Sequence, residues 1–300
     1  MQDIRMTTTT TTTYVVAVGV ADIRREPDSA SELVTQALLN APAIADRQDG
    51  EWMHVRLSDY EGWISSHQVE QPITQGFCKV SACCGTPLPL VAVVAVPYCP
   101  LFATAEGEDI VGKLYLSTAL PPLDLTRPQR IQVALPGEQT GWLQRSAIRL
   151  CLAGDVYPRA PLKVVTDYAR AFLGRPYLWG GTSWEGIDCS AFVQLCYRMG
   201  GFIIPRDADQ QHDFLLHSVP RAEMQEGDLI FFGSKAITHV ALALNSREYI
   251  HAEGQNYERV LINSFDAAAP HYYPRLDEIV WAIKRVSAEP AAHTNEREVA

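Results

Sequence analysis

A glycine-rich loop runs directly into an amphipathic helical pattern at residues 180–198, GGTSWEGIDCSAFVQLCYR. Asp188 and Ser190 flank Cys189 and both side chains can cap a first turn, so the pattern predicts a helix from Cys189 to about Met199. Free N–H groups and the helix dipole at such a position favour a thiolate. Cys189 is therefore either a buried structural thiol or a nucleophile.

The region around this helix, residues 155–286, mixes helical and strand patterns. PLKVVTDYARAFLG has helical periodicity, whereas short apolar runs rich in β-branched and aromatic residues predict strands. These runs are GDLIFFG, HVALALN, YIHAEG and IVWAIKRV. Together the elements predict an α+β domain.

Two smaller units precede this domain, at residues 14–72 and 85–150. Both consist of short β-rich runs separated by turn residues, which is typical of small all-β barrels. Gly62-Trp63-Ile64 near the end of the first matches Gly141-Trp142-Leu143 near the end of the second. We interpret the match as an internal duplication, with neighbouring strands of one sandwich as the simpler alternative.

The two ends of the sequence differ from the rest in composition. Residues 1–13 contain a threonine run and residues 287–300 are polar, so we expect a disordered leader and a flexible tail. The first residues lack a secretory pattern, and no stretch reaches the roughly 20 apolar residues of a membrane span. We therefore expect a cytoplasmic protein.

Charge and cysteine content exclude several classes of partner. The formal net charge of the 300 residues is −10, which argues against nucleic acid or an anionic membrane and favours a small or cationic ligand. Seven cysteines at irregular spacing predict free thiols rather than a disulfide framework or a zinc site. We expect no metal and no organic cofactor, and the oligomeric state stays open.

Two histidines are candidates for the base that a cysteine nucleophile needs. His239 begins HVALALN and His251 lies within YIHAEG, two predicted strands that can pair as a hairpin beside the helix. One can act as the base while the other orients it. A structural role for each histidine is the alternative.

Five segments in this order resemble the NlpC family of bacterial cell-wall cysteine peptidases. They are RPYLWGGTSWEGIDCSAFVQLCY, PRDADQQ, EGDLIFFG, THVALAL and YIHAEG. The resemblance covers about residues 155–286 and implies a reduced papain-like fold, with the cysteine helix packed on an antiparallel sheet. It also implies Cys189 as the nucleophile, His239 as the general base and His251 as the residue that orients the base.

The same resemblance assigns further residues to the substrate site. Tyr177 matches a family tyrosine near the oxyanion site, with a packing role as the alternative. SH3-like barrels ahead of the peptidase domain resemble enzymes that require a free N-terminal L-Ala. In that arrangement Asp188 and Ser190 match residues that bind the amine end, and Tyr60 matches a barrel tyrosine over the cleft. Glu26 matches a second acidic contact, unless it is a solvated loop charge.

Two features of the PRDADQQ segment need comment. One residue departs from the family pattern, and one pair of residues has two possible roles. Ala208 occupies a position often filled by serine, so one substrate hydrogen bond is missing or supplied elsewhere. Arg206 and Asp207 can orient substrate, although a structural salt bridge between them is the favoured interpretation.

The implied activity is a γ-D-glutamyl-L-diamino-acid endopeptidase that releases L-Ala-γ-D-Glu from free murein peptides. A blocked amine would leave Asp188 buried and unpaired, so intact wall should be rejected. The alternatives are a secreted D,L-endopeptidase acting on intact peptidoglycan, a non-catalytic peptide-binding module and an acyltransferase. The sequence does not identify the preferred diamino acid or the role of the second barrel.

Overall fold

The computed structural model describes residues 11–74, 78–81 and 87–286. The predicted tail 287–300, most of the predicted leader 1–13, and Cys83 and Cys84 lie outside the described residues.

The first unit is a small β-barrel whose strands form one sheet in the order β3-β2-β6-β5-β4-β1-β7. Its strands are β1 (Thr12–Val16), β2 (Val20–Arg24), β3 (Leu33–Leu38), β4 (Pro42–Asp49), β5 (Trp52–Arg56), β6 (Glu61–Ser65) and β7 (Val69–Glu70). Alternation along the strands buries one face, and its apolar side chains, among them Ile23, Val55 and Ile64, form the barrel's own core.

The second unit is also all-β and has two sheets, β11-β10-β15-β14-β13 and β12-β9-β16, with β8 paired to β9. Its strands are β8 (Lys79–Ser81), β9 (Pro87–Val94), β10 (Tyr98–Phe102), β11 (Ile110–Tyr115), β12 (Ala119–Leu120), β13 (Pro122–Asp124), β14 (Arg130–Leu135), β15 (Gln139–Gln144) and β16 (Ile148–Leu152). A separate apolar core fills this unit.

The repeated Gly-Trp motif occupies equivalent places in the two units. Each glycine lies in the second strand of a hairpin, β5–β6 or β14–β15, and a short 3-10 turn follows. A Cβ atom on Gly62 would lie 2.7 Å from Ile23 Cγ2, and one on Gly141 would lie 2.5 Å from Leu101 Cδ1. Both units therefore use glycine for the same reason, the close approach of a neighbouring strand.

The third unit is α+β, as the sequence predicts. Its elements are α1 (Leu162–Ala171), β17 (Thr182–Ser183), β18 (Gly186–Ile187), α2 (Cys189–Met199), α3 (Ala208–Phe214), β19 (His217–Ser218), β20 (Leu229–Gly233), β21 (Ile237–Ala243), β22 (Glu248–Glu253), β23 (Arg259–Ser264), α4 (Pro274–Glu278) and β24 (Val280–Arg285). Six strands form one antiparallel sheet, β19-β24-β20-β21-β22-β23.

Helix α2 lies against β21 and β22 of this sheet. Its apolar side chains share one core with alternating residues of the strands, such as Val240, Leu242 and Ile250. The predicted helix at Cys189 and the predicted hairpin β21–β22 are confirmed. Strand β23 and helices α3 and α4 were not predicted. No described helix has the length and apolar character needed to cross a bilayer.

Polar contacts attach the first barrel to the third unit. Arg206 Nε donates to Thr35 Oγ1 at 2.9 Å, and the Thr182 backbone N–H donates to Gln36 Oε1 at 3.0 Å. Gly180 has a φ of +74° and passes so close to β3 that a Cβ atom would lie 2.5 Å from the Leu33 carbonyl oxygen. The loop before α2 is therefore shaped to fit this barrel.

Candidate active site

Cys189 is the first residue of α2 and lies at the base of a cleft of about 780 Å³. The side chain of Asp188 caps the helix by accepting a hydrogen bond from the Ala191 N–H at 2.8 Å. The backbone N–H groups of Val240 and Ser190 lie near the Cys189 sulfur and act to lower its pKa. Because Val240 follows His239 in β21, the sulfur lies against the strand that carries the predicted base, and His239 lines the same cleft.

Burial favours the neutral forms of both Cys189 and His239. Burial, followed by the negative charge of Asp188, raises the pKa of Cys189 to about 12. Burial also lowers the pKa of His239 well below its usual value. Loss of hydration thus opposes the thiolate that the N–H groups at the helix start favour, and the thiolate–imidazolium pair stays a prediction.

His239 belongs to a chain of three hydrogen-bonded side chains on successive strands. His239 Nε2 is 2.8 Å from His251 Nδ1, and His251 Nε2 is 2.8 Å from Asn263 Oδ1. His251 and Asn263 are both buried. Sequence reasoning missed Asn263; the alternating pattern of RVLINS could have identified its strand, but not its partner.

Asp188 is fully occupied by partners within the protein. Arg206 Nη2 donates to Asp188 Oδ2 at 2.6 Å and Arg206 Nη1 to Oδ1 at 3.1 Å, both groups being buried. The Ser190 hydroxyl donates to Asp188 Oδ1 at 3.2 Å, and the Gly180 N–H donates to Oδ2 at 3.1 Å. The idea that a blocked substrate amine would leave Asp188 unpaired is therefore wrong. Ser190 is held in the same network, since its hydroxyl accepts from Arg206 Nη1 at 2.9 Å.

Arg206 forms the predicted salt bridge with Asp207, but its closer partner is Asp188. Its Nη1 is 4.0 Å from Asp207, against 2.6 Å between Nη2 and Asp188. Asp207 is half-buried and lines the cleft together with Tyr60, close enough for each side chain to perturb the pKa of the other. Burial raises the pKa of Asp207, while the positive charge of Arg206 lowers it. Ala208 also lines the cleft and supplies no hydroxyl there.

The first barrel forms one wall of the cleft through Tyr60, Arg25, Glu32 and Val34. Glu26, which the resemblance matched to an acidic contact, is exposed and is not among the lining residues. Glu32 is the barrel carboxylate at this wall: it accepts from Trp179 Nε1 at 3.0 Å and from Arg25 Nε at 2.7 Å. The position of Glu32 in the cleft wall is evident only from the fold of the barrel, because no sequence motif identifies this residue.

Tyr177 lines the cleft beside Cys189 and Asp188. Burial and then the neighbouring Cys189 raise the pKa of its hydroxyl, so the phenol stays neutral. A Cβ atom on Gly254 would lie 2.4 Å from Tyr177 Cε1, so glycine is needed where the ring packs. Tyr177 therefore has both a packing role and access to the reaction centre.

Within residues 11–74, 78–81 and 87–286, no three His, Cys, Asp or Glu side chains are grouped so as to hold a metal ion. The described cysteines are free thiols at positions 78, 99, 151, 189 and 196.

Comparison with known proteins agrees with this geometry. Residues 174–275 match the NlpC/P60 family, and residues 23–69 match the bacterial dipeptidyl-peptidase SH3 domain. The catalytic unit belongs to the NlpC/P60 family of cysteine peptidases. An SH3-like domain precedes it. A solved NlpC/P60 family protein from Bacillus cereus has the same fold, with a TM-score of 0.77 at 23% identity over 91% of this chain and 99% of that one.

Two relatives are similar over most of their length. The γ-D-glutamyl-L-lysine dipeptidyl-peptidase of Bacillus cereus is 29% identical over 75% of this chain and 68% of its own. Dipeptidyl-peptidase 6 of Lysinibacillus sphaericus is 28% identical over 90% of this chain and 97% of its own.

Alkylation of the thiol tests the neutral resting state of this NlpC/P60 centre. We expect the rate of Cys189 alkylation by iodoacetamide to rise steadily between about pH 6 and pH 9, because the thiolate fraction rises with pH below a raised pKa. The rate is measured by mass spectrometry of the modified peptide, with Cys189→Ala as the background. Fast alkylation that does not change with pH over this range would contradict the neutral pair.

The Arg206–Asp188 pair should dominate the stability of this region. Arg206→Met leaves a buried carboxylate without its cation, and we expect a loss of about 3–5 kcal/mol in the free energy of unfolding. Adding Asp188→Asn should recover part of the loss, because asparagine still caps α2 without a charge. Urea unfolding of the single and double variants measures both effects. If the changes in the free energy of unfolding of the two single variants simply added up in the double variant, the result would argue against the ion pair.

Proposed function

We propose that this protein is a cysteine endopeptidase that cleaves the γ-D-Glu–L-diamino acid bond of murein peptides with a free N-terminal L-Ala. The catalytic family and the names of the two dipeptidyl-peptidase relatives support a peptide substrate of cell-wall origin. The alternative of a non-catalytic module is not favoured, because Cys189 and His239 line one cleft and His239 is hydrogen-bonded to His251.

The observation that carries the proposal is that Tyr60 of the first barrel and Asp207 of the peptidase unit line the catalytic cleft together, close enough for each to perturb the pKa of the other. A carboxylate and a phenol oxygen can both accept hydrogen bonds from an ammonium group. Asp188 has no such capacity left, because Arg206, Ser190 and two backbone N–H groups occupy it. We therefore assign the amine-binding role to Asp207 and Tyr60 instead.

In the proposed reaction, the Cys189 proton passes to His239 as the sulfur attacks the γ-carbonyl carbon of D-glutamate. The N–H of Cys189, at the start of α2, can donate to the oxyanion of the tetrahedral intermediate. Collapse of this intermediate breaks the C–N bond, and the His239 proton goes to the leaving amine of the diamino acid. His239 then activates water, which hydrolyses the thioester and releases L-Ala-γ-D-Glu.

A requirement for a free amine would restrict the enzyme to peptides already released from the wall, because L-Ala is amide-linked in intact peptidoglycan. We accordingly propose a role in the recycling of murein peptides in the cytoplasm. The competing function is a secreted D,L-endopeptidase whose barrels bind assembled peptidoglycan. The same barrel would then be expected to leave the amine end of the cleft open to a longer substrate.

Three substrates distinguish these functions. We expect cleavage of L-Ala-γ-D-Glu-diaminopimelate, and strongly reduced cleavage of its N-acetylated form and of intact sacculi, because acetylation removes the positive charge. Product release is followed by chromatography, with Cys189→Ala as the inactive control. Equal cleavage of the free and acetylated peptides would refute the free-amine requirement, and efficient release from sacculi would favour the secreted enzyme.

Substitution at the amine end provides a second prediction. Asp207→Asn should lower kcat/KM for the free peptide about 10- to 100-fold, since a hydrogen bond to a charged group contributes about 1.5–3 kcal/mol. Tyr60→Phe should act in the same direction, and neither change should reduce cleavage of the acetylated peptide. Asp213→Asn is the matched control, because Asp213 lies on α3, the helix that Asp207 precedes, with its side chain 82% exposed. A control effect as large as that of Asp207→Asn would contradict the assignment.

A further inference from the structure

We propose that Asn263 is a positioning residue of the catalytic centre, which sets the tautomers of His251 and His239 so that Nδ1 of His239 is left as the free base. The inference depends on cysteine-peptidase chemistry and not on which peptide is cleaved. It extends the catalytic group by one strand, from β22 to β23, and gives a function to a buried polar side chain.

The orientation of the Asn263 amide follows from its outer partner. Asn263 Nδ2 is 2.9 Å from the backbone carbonyl oxygen of His271. A carbonyl oxygen can only accept a hydrogen bond, so the amide nitrogen must face it. The same carbonyl accepts from the Ser264 backbone N–H at 3.0 Å, which holds it in place. Asn263 Oδ1 is thereby directed to His251.

The orientation of Asn263 then determines which atom donates in each hydrogen bond from Asn263 to His251 and from His251 to His239. Asn263 Oδ1 only accepts, so Nε2 of His251 carries a proton across the 2.8 Å contact. In a neutral ring Nδ1 is then the acceptor, and it receives the Nε2 proton of His239, also at 2.8 Å. His239 is left with a lone pair on Nδ1. With the opposite tautomer, Nδ1 of His239 would carry a proton and could not take one from Cys189.

Burial restricts the tautomers in this hydrogen-bonded series, because water cannot replace a hydrogen-bond partner that is lost. His251 is 0% exposed and Asn263 is 3% exposed. The β21–β22 ladder ends at Leu242↔Ile250, so the two histidines are joined by their side chains beyond it. On β22 and β23, Asn263 is diagonal to His251, since His251 pairs with Leu261 two residues earlier. Three neighbouring strands thus supply one residue each.

Several titratable groups surround the chain and bear on its pH dependence. Burial lowers the pKa of His251 to about 4, whereas the hydrogen bond to Asn263 and the charge of Glu253 raise it. Tyr249 is next to the His251 ring, with the ring centroids 5.3 Å apart. Near Asn263, His271 Nε2 lies 3.0 Å from Glu248 Oε1. Near His239, the negative charge of Asp188 is next to Cys189.

A purely structural role for Asn263, tying β23 to the residue 271 backbone, is the competing explanation. Asn263→Ala should lower kcat about 10- to 100-fold with little change in KM, the range expected when one buried hydrogen-bond partner is removed. Ser264→Ala is the control, because Ser264 is buried on the same strand and its hydroxyl bonds the Arg247 carbonyl rather than a histidine. Equal losses of kcat in the two variants would overturn the proposal.

Asn263→Asp separates positioning from packing. A carboxylate still accepts from His251 Nε2, but its charge favours the imidazolium, so the pKa values of the histidines should rise. The acidic limb of the pH profile of kcat/KM should then move to higher pH, whereas Ser264→Ala should leave the limb in place. An unchanged acidic limb in Asn263→Asp would count against the relay.

Nitrogen-15 NMR of the histidine side chains provides a readout that needs no substrate. In the unmodified protein at neutral pH, both His239 and His251 should show the tautomer with a proton on Nε2. His239→Ala and His251→Ala spectra assign the signals. In Asn263→Ala, the His251 signals should shift toward the other tautomer or an average. A proton on Nδ1 of His251 in the unmodified protein would overturn the proposal, even if the Asn263 variants fail to fold.

Discussion

The buried ion pair between Arg206 and Asp188 is the contact on which the rest of the site depends. Arg206 is 2% exposed, and its guanidinium is compensated by Asp188, Ser190 and Thr35. Asp188 also caps the helix that begins at Cys189, while Thr35 belongs to the first barrel. One side chain therefore couples the position of the nucleophile to that of the barrel. The barrel is part of the architecture of the active site.

A second contact holds the same barrel farther along α2. Gln194 Nε2 donates to Asp59 Oδ2 at 2.7 Å, and Arg198 Nη2 is 3.5 Å from the same oxygen. Tyr60 follows Asp59 directly, so its hydroxyl enters the cleft from an anchored loop. Contacts at both the first and the later turns of α2 restrict rotation of the barrel. This explains how a residue from a separate unit can help to define one wall of a catalytic cleft.

Local patterns were sufficient for α2 and the β21–β22 hairpin, because capping and periodicity are properties of a single element. They identified the weaker salt bridge of Arg206, with Asp207, but not its closer partner. Asp207 is adjacent in sequence but 4.0 Å away, whereas the fold brings Asp188 to 2.6 Å. Likewise, the sequence does not show that Glu32 lines the cleft whereas Glu26 does not. Asn263 depends on strand order and register, which no motif in a single chain specifies.

The burial of the reaction centre favours the neutral forms of its side chains. His251 is enclosed beside the Tyr249 ring, where an imidazolium would be poorly hydrated. An amide at Asn263 can orient this ring without adding a second buried charge. In the proposed reaction, charge then develops as the Cys189 proton moves to His239. A peptide that covers the cleft excludes water at that moment and strengthens the attraction between the new imidazolium and the oxyanion, so binding and bond cleavage are linked.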